Sequence, residues 1–274
     1  MKIGIIGFGN MGSAIAQRIE SKYEVWVFDK DVNKTKNLSG MSITKNAIDL
    51  VKQVDTVILA AKPQDFKELL GQIKPYIANK LIVSIAAGIK TSDIEKILDR
   101  ARVIRVMPNI GAKIGKAESS LCKGKIANYE DLIFAQGVFN CIGKTWLISE
   151  DKMDAATAIC GSGPAYIFYD MEKNEINPKH LTEEDRQRYI VNLTKAAEDV
   201  GFSNEIAADF AASITGTSIA LVLEPGNSPS DLKNKVTSKG GTTEAALKVL
   251  SDNGSWTEAA RAAQRRAEEL SINL

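Results

Sequence analysis

Lys2-Ile3-Gly4-Ile5-Ile6-Gly7-Phe8-Gly9-Asn10-Met11-Gly12 is the stretch that decides the fold of the first half of the chain. Residues 2–6 are an apolar strand pattern, and residues 13–20 set Ile15, Ala16 and Ile19 on one helical side. Three glycines alone mean only a sharp turn. Between a strand and a helix, G-x-G-x-x-G marks a loop that cradles a dinucleotide pyrophosphate. Gly7 permits the turn, Gly9 lets phosphate approach the backbone, and Gly12 lets helix pack on strand. Phe8, Asn10 and Met11 complete that cradle. Residues 24–28 form a second strand that runs into Asp29. An acidic residue about 20 positions beyond the glycines is placed to accept from the adenosine ribose hydroxyls.

Further apolar strands are expected at 56–60, 81–85 and 103–107, separated by helices near 47–51, 66–73 and 91–98. Strands apolar on both faces belong to a parallel sheet covered by helices, an α/β Rossmann-type doubly wound fold. Ligands bind such sheets at the carboxyl ends of the strands. Ala61-Lys62-Pro63 and Arg105-Val106-Met107-Pro108-Asn109 lie at two of those ends. Lys62 and Asn109 read either as facing the cofactor crevice or as solvated turn residues. Strands at 118–122 and 145–148 flank a helix at 131–141, and no strand pattern follows Lys152. The domains are therefore expected at 1–150, dinucleotide-binding, and 151–274, all-helical.

The 274 residues are 44% hydrophobic and 25% charged, with a net charge of +1, which offers no bulk field for nucleic acid or an anionic membrane. Cys122, Cys141 and Cys160 are widely spaced, and His180 is the single histidine. That pattern suits reduced thiols in the cytoplasm and argues against a metal site. A strand at the very start leaves no room for a signal peptide, and no apolar run looks long enough to span a bilayer.

Toward the other end, Val236-Thr237-Ser238-Lys239-Gly240-Gly241-Thr242-Thr243 runs into Glu244-Ala245-Ala246-Leu247. This is a loop becoming a helix. Its first-turn N–H groups either hold an anion such as a carboxylate or are satisfied by an ordinary threonine cap.

Taken in order, the glycine loop, Ala61-Lys62-Pro63, Arg105–Asn109, Gly161-Ser162-Gly163-Pro164-Ala165-Tyr166 and Leu232–Val236 leading to Ser238–Thr243 resemble the pyrroline-5-carboxylate reductases. The last two motifs carry the specificity, and the resemblance spans essentially the whole chain. It implies reduction of 1-pyrroline-5-carboxylate to L-proline by NAD(P)H, the last step of proline biosynthesis. It implies that Ser238, Gly240, Gly241, Thr242 and Thr243 bind the substrate carboxylate, with the Thr243 hydroxyl reaching the ring nitrogen as the catalytic contact. Lys62, Pro63, Met107, Pro108 and Asn109 would border the nicotinamide, and Asn46 the adenosine ribose. The all-helical part would be a dimerisation domain, giving a homodimer at least, in a family that often builds larger rings. NADPH is the family's commoner cofactor, whereas the Asp29 carboxylate argues for NADH, and Lys30 and Lys34 offset its charge. Other cyclic imines or small hydroxy and keto acids remain as alternative substrates, as does a non-catalytic dinucleotide-binding paralogue.

The chain departs from the family pattern in four places. Lys239 replaces a proline, Cys160 a serine, and Ser228 a histidine. A polar insertion occupies residues 170–188, where Pro178 breaks any helix and Thr182-Glu183-Glu184-Asp185 reads as a fresh cap. It reads as a solvent-exposed extension, or more sharply as a lid or altered dimer contact.

Overall fold

β1 (Lys2–Ile6) is buried from Ile3 onward, and the rest of the sheet is laid on it. α1 (Asn10–Ile19), β2 (Glu24–Phe28), β3 (Ser42–Ile43), α2 (Ala47–Gln53) and β4 (Thr56–Leu59) follow. Next come α3 (Phe66–Ile73), β5 (Leu81–Ser84), α4 (Thr91–Ile97), β6 (Arg102–Met107), β7 (Ala117–Lys123), α5 (Tyr129–Phe139) and β8 (Gly143–Leu147). The sheet order is β3-β2-β1-β4-β5-β6-β7-β8. Pairing is parallel from β3 through β6, with Ile5 opposite Val27 on one side and Ile58 on the other. The order reverses between β1 and β4, so a crevice opens at their carboxyl ends.

The structure, a computed structural model, describes residues 1–271. These fall into two compact units. One holds residues 1–106, 121–150 and Ser271; the other holds 107–120 and 151–270. The sequence reading put a single division at Glu150. Residues 107–120 nevertheless pack with the helices, because β6 runs out of its unit at Val106 without any break in apolar pattern.

In the first unit, Leu50, Val51, Phe66, Leu70, Ile73 and Ile94 pack on Val57, Leu59, Ile82 and Val103 in one buried cluster. Each such side chain stabilises the fold by about 1.5–3 kcal/mol. The two-residue β3 was not expected, since two residues carry no period.

In the second unit, α6 (Met153–Ala156) widens into a π-helical turn at Thr157–Gly161 before α7 (Gly163–Lys173). α8 (Glu183–Asp199), α9 (Asn204–Leu223), α10 (Pro229–Val236), α11 (Thr242–Ser251) and α12 (Trp256–Leu270) complete it. α8 packs on α9 and α11 on α12. Trp256 stacks on Tyr189 and meets Tyr166 edge-on, with ring centroids 6.0 and 5.9 Å away. α9 corrects one expectation: its 20 residues are long and apolar enough to cross a membrane by length and composition alone. Phe210, Ala211, Ile214, Ile219 and Leu221 are buried inside the unit, as in a core helix.

The inserted segment is closed by charge. Glu175 takes a left-handed backbone (φ 52°) at the end of α7, and Pro178 opens a short 3₁₀ turn. Thr182 and Asp185 form a capping box for α8, each side chain bonding the other's backbone N–H. Arg188 then bridges Asp170 at 3.0 Å and Asp185 at 3.4 Å. Most residues from 172 to 187 are exposed.

Candidate functional site

The glycine loop shows why each glycine stands where it does. Gly7 has φ +101°, and a Cβ there would lie 2.6 Å from the Ala60 carbonyl at the end of β4. A Cβ on Gly12 would run into the Gly7 carbonyl oxygen. Gly9 differs, since nothing lies within 4 Å of where its Cβ would be. It is also the N-cap of α1, with no side chain capping the helix and no acidic residue in the first turn. An uncapped helix start beneath open space fits a dinucleotide pyrophosphate. Phe8 is buried, whereas Asn10 is exposed and Met11 half-buried at the loop's end.

Asp29 turns its carboxylate onto its own chain. Oδ2 accepts from Phe8 N at 2.7 Å, Oδ1 accepts from Asp31 N at 2.8 Å, and Lys34 Nζ lies 3.2 Å from Oδ2. Burial alone raises this carboxyl, but the Asp31 and Phe8 N–H donors and Lys34 outweigh it and hold it below its ordinary range. The carboxylate thus braces the glycine loop, and Lys34 offsets its charge. Lys30 pairs with Asp65 at 2.9 Å, linking the ends of β2 and β4. Between them, Lys62 is exposed and Ala61 and Pro63 half-buried, with Pro63 opening a 3₁₀ turn. Asn46 caps α2: its Oδ1 accepts from Asp49 N and its Nδ2 donates to Asp49 Oδ2, both at 2.8 Å.

Met107, Pro108 and Asn109 pack with the helical unit. Asn109 is neither solvated nor open: it is 2% exposed, and its Oδ1 accepts from Gly111 N and Glu118 N at 3.0 and 3.1 Å. Its Nδ2 is buried with no hydrogen-bond partner.

The Ser238–Thr243 loop also divides. Gly240 is left-handed (φ +71°), and its N–H donates to Glu244 Oε2 at 2.8 Å while its carbonyl accepts from Arg266 Nε at 2.8 Å. The Gly241 N–H is taken by the Ser238 carbonyl at 2.9 Å. Both glycine amides are thus bonded within the turn, which they shape. A Cβ on Gly241 would meet Ser238 Oγ and come within 3.0 Å of the Ser238 carbonyl oxygen, so a side chain here requires Ser238 to shift. Gly241 is the N-cap of α11 and no side chain caps the helix, so the first-turn amides of Thr242, Thr243 and Glu244 are the ones directed out of it. Lys239 and Ser238 are exposed at the rim.

Around this helix start three hydroxyls converge. Thr243 Oγ1 donates to Ser162 Oγ at 3.1 Å, and Ser162 Oγ lies 3.1 Å from Thr242 Oγ1. The π turn delivers Ser162 there: its N–H donates five residues back, to the Thr157 carbonyl at 3.0 Å. The Met107 methyl lies against Gly161, 2.9 Å from where a Cβ would be. One residue expected at the nicotinamide and two expected at the substrate are therefore gathered around Gly161 and Ser162. Cys160 beside them is fully buried, and desolvation pushes its thiol up, followed by the charge of Glu118, so it packs as an inert thiol. Glu244 and Arg266 escaped the sequence reading. Glu244 at the third helical position had the spacing of a cap; Arg266 lies 26 residues from its partner and left no local signal.

Residues 2–88 match the family model "NADP oxidoreductase coenzyme F420-dependent", and residues 188–270 match "Pyrroline-5-carboxylate reductase dimerisation". The second match begins where the inserted segment ends. The pyrroline-5-carboxylate reductase of Methanosarcina acetivorans is 33% identical over 282 residues, covering 98% of this chain and 97% of that protein. The solved pyrroline-5-carboxylate reductase of Coxiella burnetii superposes with a TM-score of 0.65 at 29% identity, covering 98% of both chains. That of Plasmodium falciparum, with NADP bound, gives 0.65 at 26% identity over 99% of this chain and 98% of its own. Glycine loop, hydroxyl cluster and end-to-end likeness agree: this chain belongs to the pyrroline-5-carboxylate reductase family.

Proposed function

We propose that the chain reduces 1-pyrroline-5-carboxylate to L-proline with NAD(P)H. The observation that carries this reading is the uncapped start of α11, ringed by Ser162, Thr242 and Thr243. Two adjacent needs of a cyclic imino acid are met there. The helix amides and dipole suit its carboxylate, and the Thr243 hydroxyl suits the ring nitrogen. A bound nicotinamide supplies the hydride when the glycine loop holds its pyrophosphate. The chain's own residues orient and bind, which accounts for most of the catalysis when the cofactor carries the difficult step. A protonated imine is already electrophilic, so no strong acid is required.

Both cofactors are accepted, with NADPH favoured. Lys34 against Asp29 supports this, because it offsets the charge that a 2′-phosphate meets. The active form is a homodimer or an assembly of dimers, as the matched dimerisation model supports. None of the three cysteines forms a disulfide, which supports a reducing, cytoplasmic setting.

Purified protein mixed with pyrroline-5-carboxylate and NADPH should consume NADPH and form L-proline. Thr243→Ala should lower kcat/KM about 10- to 100-fold, the loss expected for a hydrogen bond to a charged group. An unchanged rate in that variant removes Thr243 from its role.

A further inference from the structure

Ser162 opens α7 and is completely buried, and Thr242 and Thr243 are 8% and 5% exposed. Their oxygens form a chain, Thr243 to Ser162 to Thr242, with both links 3.1 Å. A hydroxyl has one proton and two lone pairs. In this chain the Thr243 proton points at Ser162 Oγ. What Thr243 presents elsewhere is therefore a lone pair, and a lone pair needs a donor. The π turn that presents Ser162 is itself held, by the Met107 methyl packed on Gly161 and by the Tyr166 hydroxyl, which donates to the Ala158 carbonyl at 2.8 Å. The Thr243–Ser162 link has Thr243 as its donor, and the Ser162–Thr242 link can run in either sense, so Ser162 keeps a partner for its own proton while it accepts from Thr243.

We propose that Ser162 is a positioning residue that fixes Thr243 as a hydrogen-bond acceptor, so that the site takes its cyclic imine as the N-protonated iminium. The proposal rests on the reading that Thr243 meets the ring nitrogen. Hydride adds to the carbon of C=N⁺–H, the π pair moves onto nitrogen, and nitrogen keeps the proton it arrived with. Nicotinamide is oxidised, the ring is reduced to a secondary amine, and Thr243 loses no proton. The amine takes its second proton from solvent. Ser162 never touches the substrate; it acts through Thr243.

A double-mutant cycle tests this, using Ser162→Ala, Thr243→Val and the pair. Ser162→Ala should lower kcat about tenfold and leave the KM for NADPH within twofold. In the Thr243→Val background the same substitution should cost less than twofold more. Inhibition by L-proline and by cyclopentanecarboxylate adds a readout that simple loosening does not move. Both carry the carboxylate, and only proline carries N–H. The wild-type preference for proline should fall severalfold in Ser162→Ala and in Thr243→Val alike. A full penalty for Ser162→Ala without the Thr243 hydroxyl, or an unchanged preference, overturns the proposal. If the alanine variant does not fold, Ser162→Cys, close in volume and a weaker acceptor, is read in its place on the same criteria. Wild-type protein that oxidises NADPH with no dependence on pyrroline-5-carboxylate refutes the substrate reading instead, and the two failures are distinct.

Discussion

Asp29 occupies the position where acidic residues meet the cofactor ribose, yet its oxygens are bonded to Phe8 N in the glycine loop and to Asp31 N in its own. Its first task is to hold the glycine turn. Removing the carboxylate therefore removes a brace before it removes a repulsion. Asp29→Ser should raise the KM for NADH and NADPH together, by about tenfold, the worth of one buried charge-assisted bond. A selective gain for NADPH, measured side by side, would restore the electrostatic reading. The Gly240 peptide is similarly held at both ends, by Glu244 and by Arg266. Where Lys239 gives a freer backbone than proline, these two side chains supply the restraint. Lys239 itself stays at the rim.

Among the elements, α3 was legible to the residue because Phe66, Leu69, Leu70 and Ile73 repeat at helical spacing between a proline turn and Lys74. The start of α8 was legible for another reason: Thr182 and Asp185 have the spacing of a reciprocal cap. The π turn at Thr157–Gly161 was not, because a widened turn leaves no mark in hydrophobic period, and the contact of Ser162 with Thr243 spans 81 positions. The inserted segment is tied to the protein by Arg188 at its base and is exposed along most of its length. Trypsin should therefore cut first after Lys179, and the cut protein should keep its turnover. Loss of turnover in step with the first cut, followed by gel and assay together, would show that the segment closes over substrate.

For the molecule as a whole, the order of motifs along the chain was readable from both ends, and the division between units was not. Residues 107–120 change unit without a change of composition, because membership there is decided by packing partners far along the chain. The dimerisation model spans residues 188–270, nearly all of α8 to α12. A chain of 29.7 kDa should accordingly sediment at twice that mass or an even multiple of it. A single-chain species at micromolar concentration would count against the dimer.

The π turn before Ser162 has an evolutionary consequence. Such a turn holds one residue more than a regular helix needs, and each residue of a helix turns the next by roughly 100°. Deleting one residue between Thr157 and Gly161 would restore ordinary pitch and keep the apolar core, and the Ser162 N–H would lose its bond to a carbonyl five residues back. A descendant shortened in that way would still look like a reductase from end to end, yet its serine would rest on an ordinary turn with a different backbone bond beneath it.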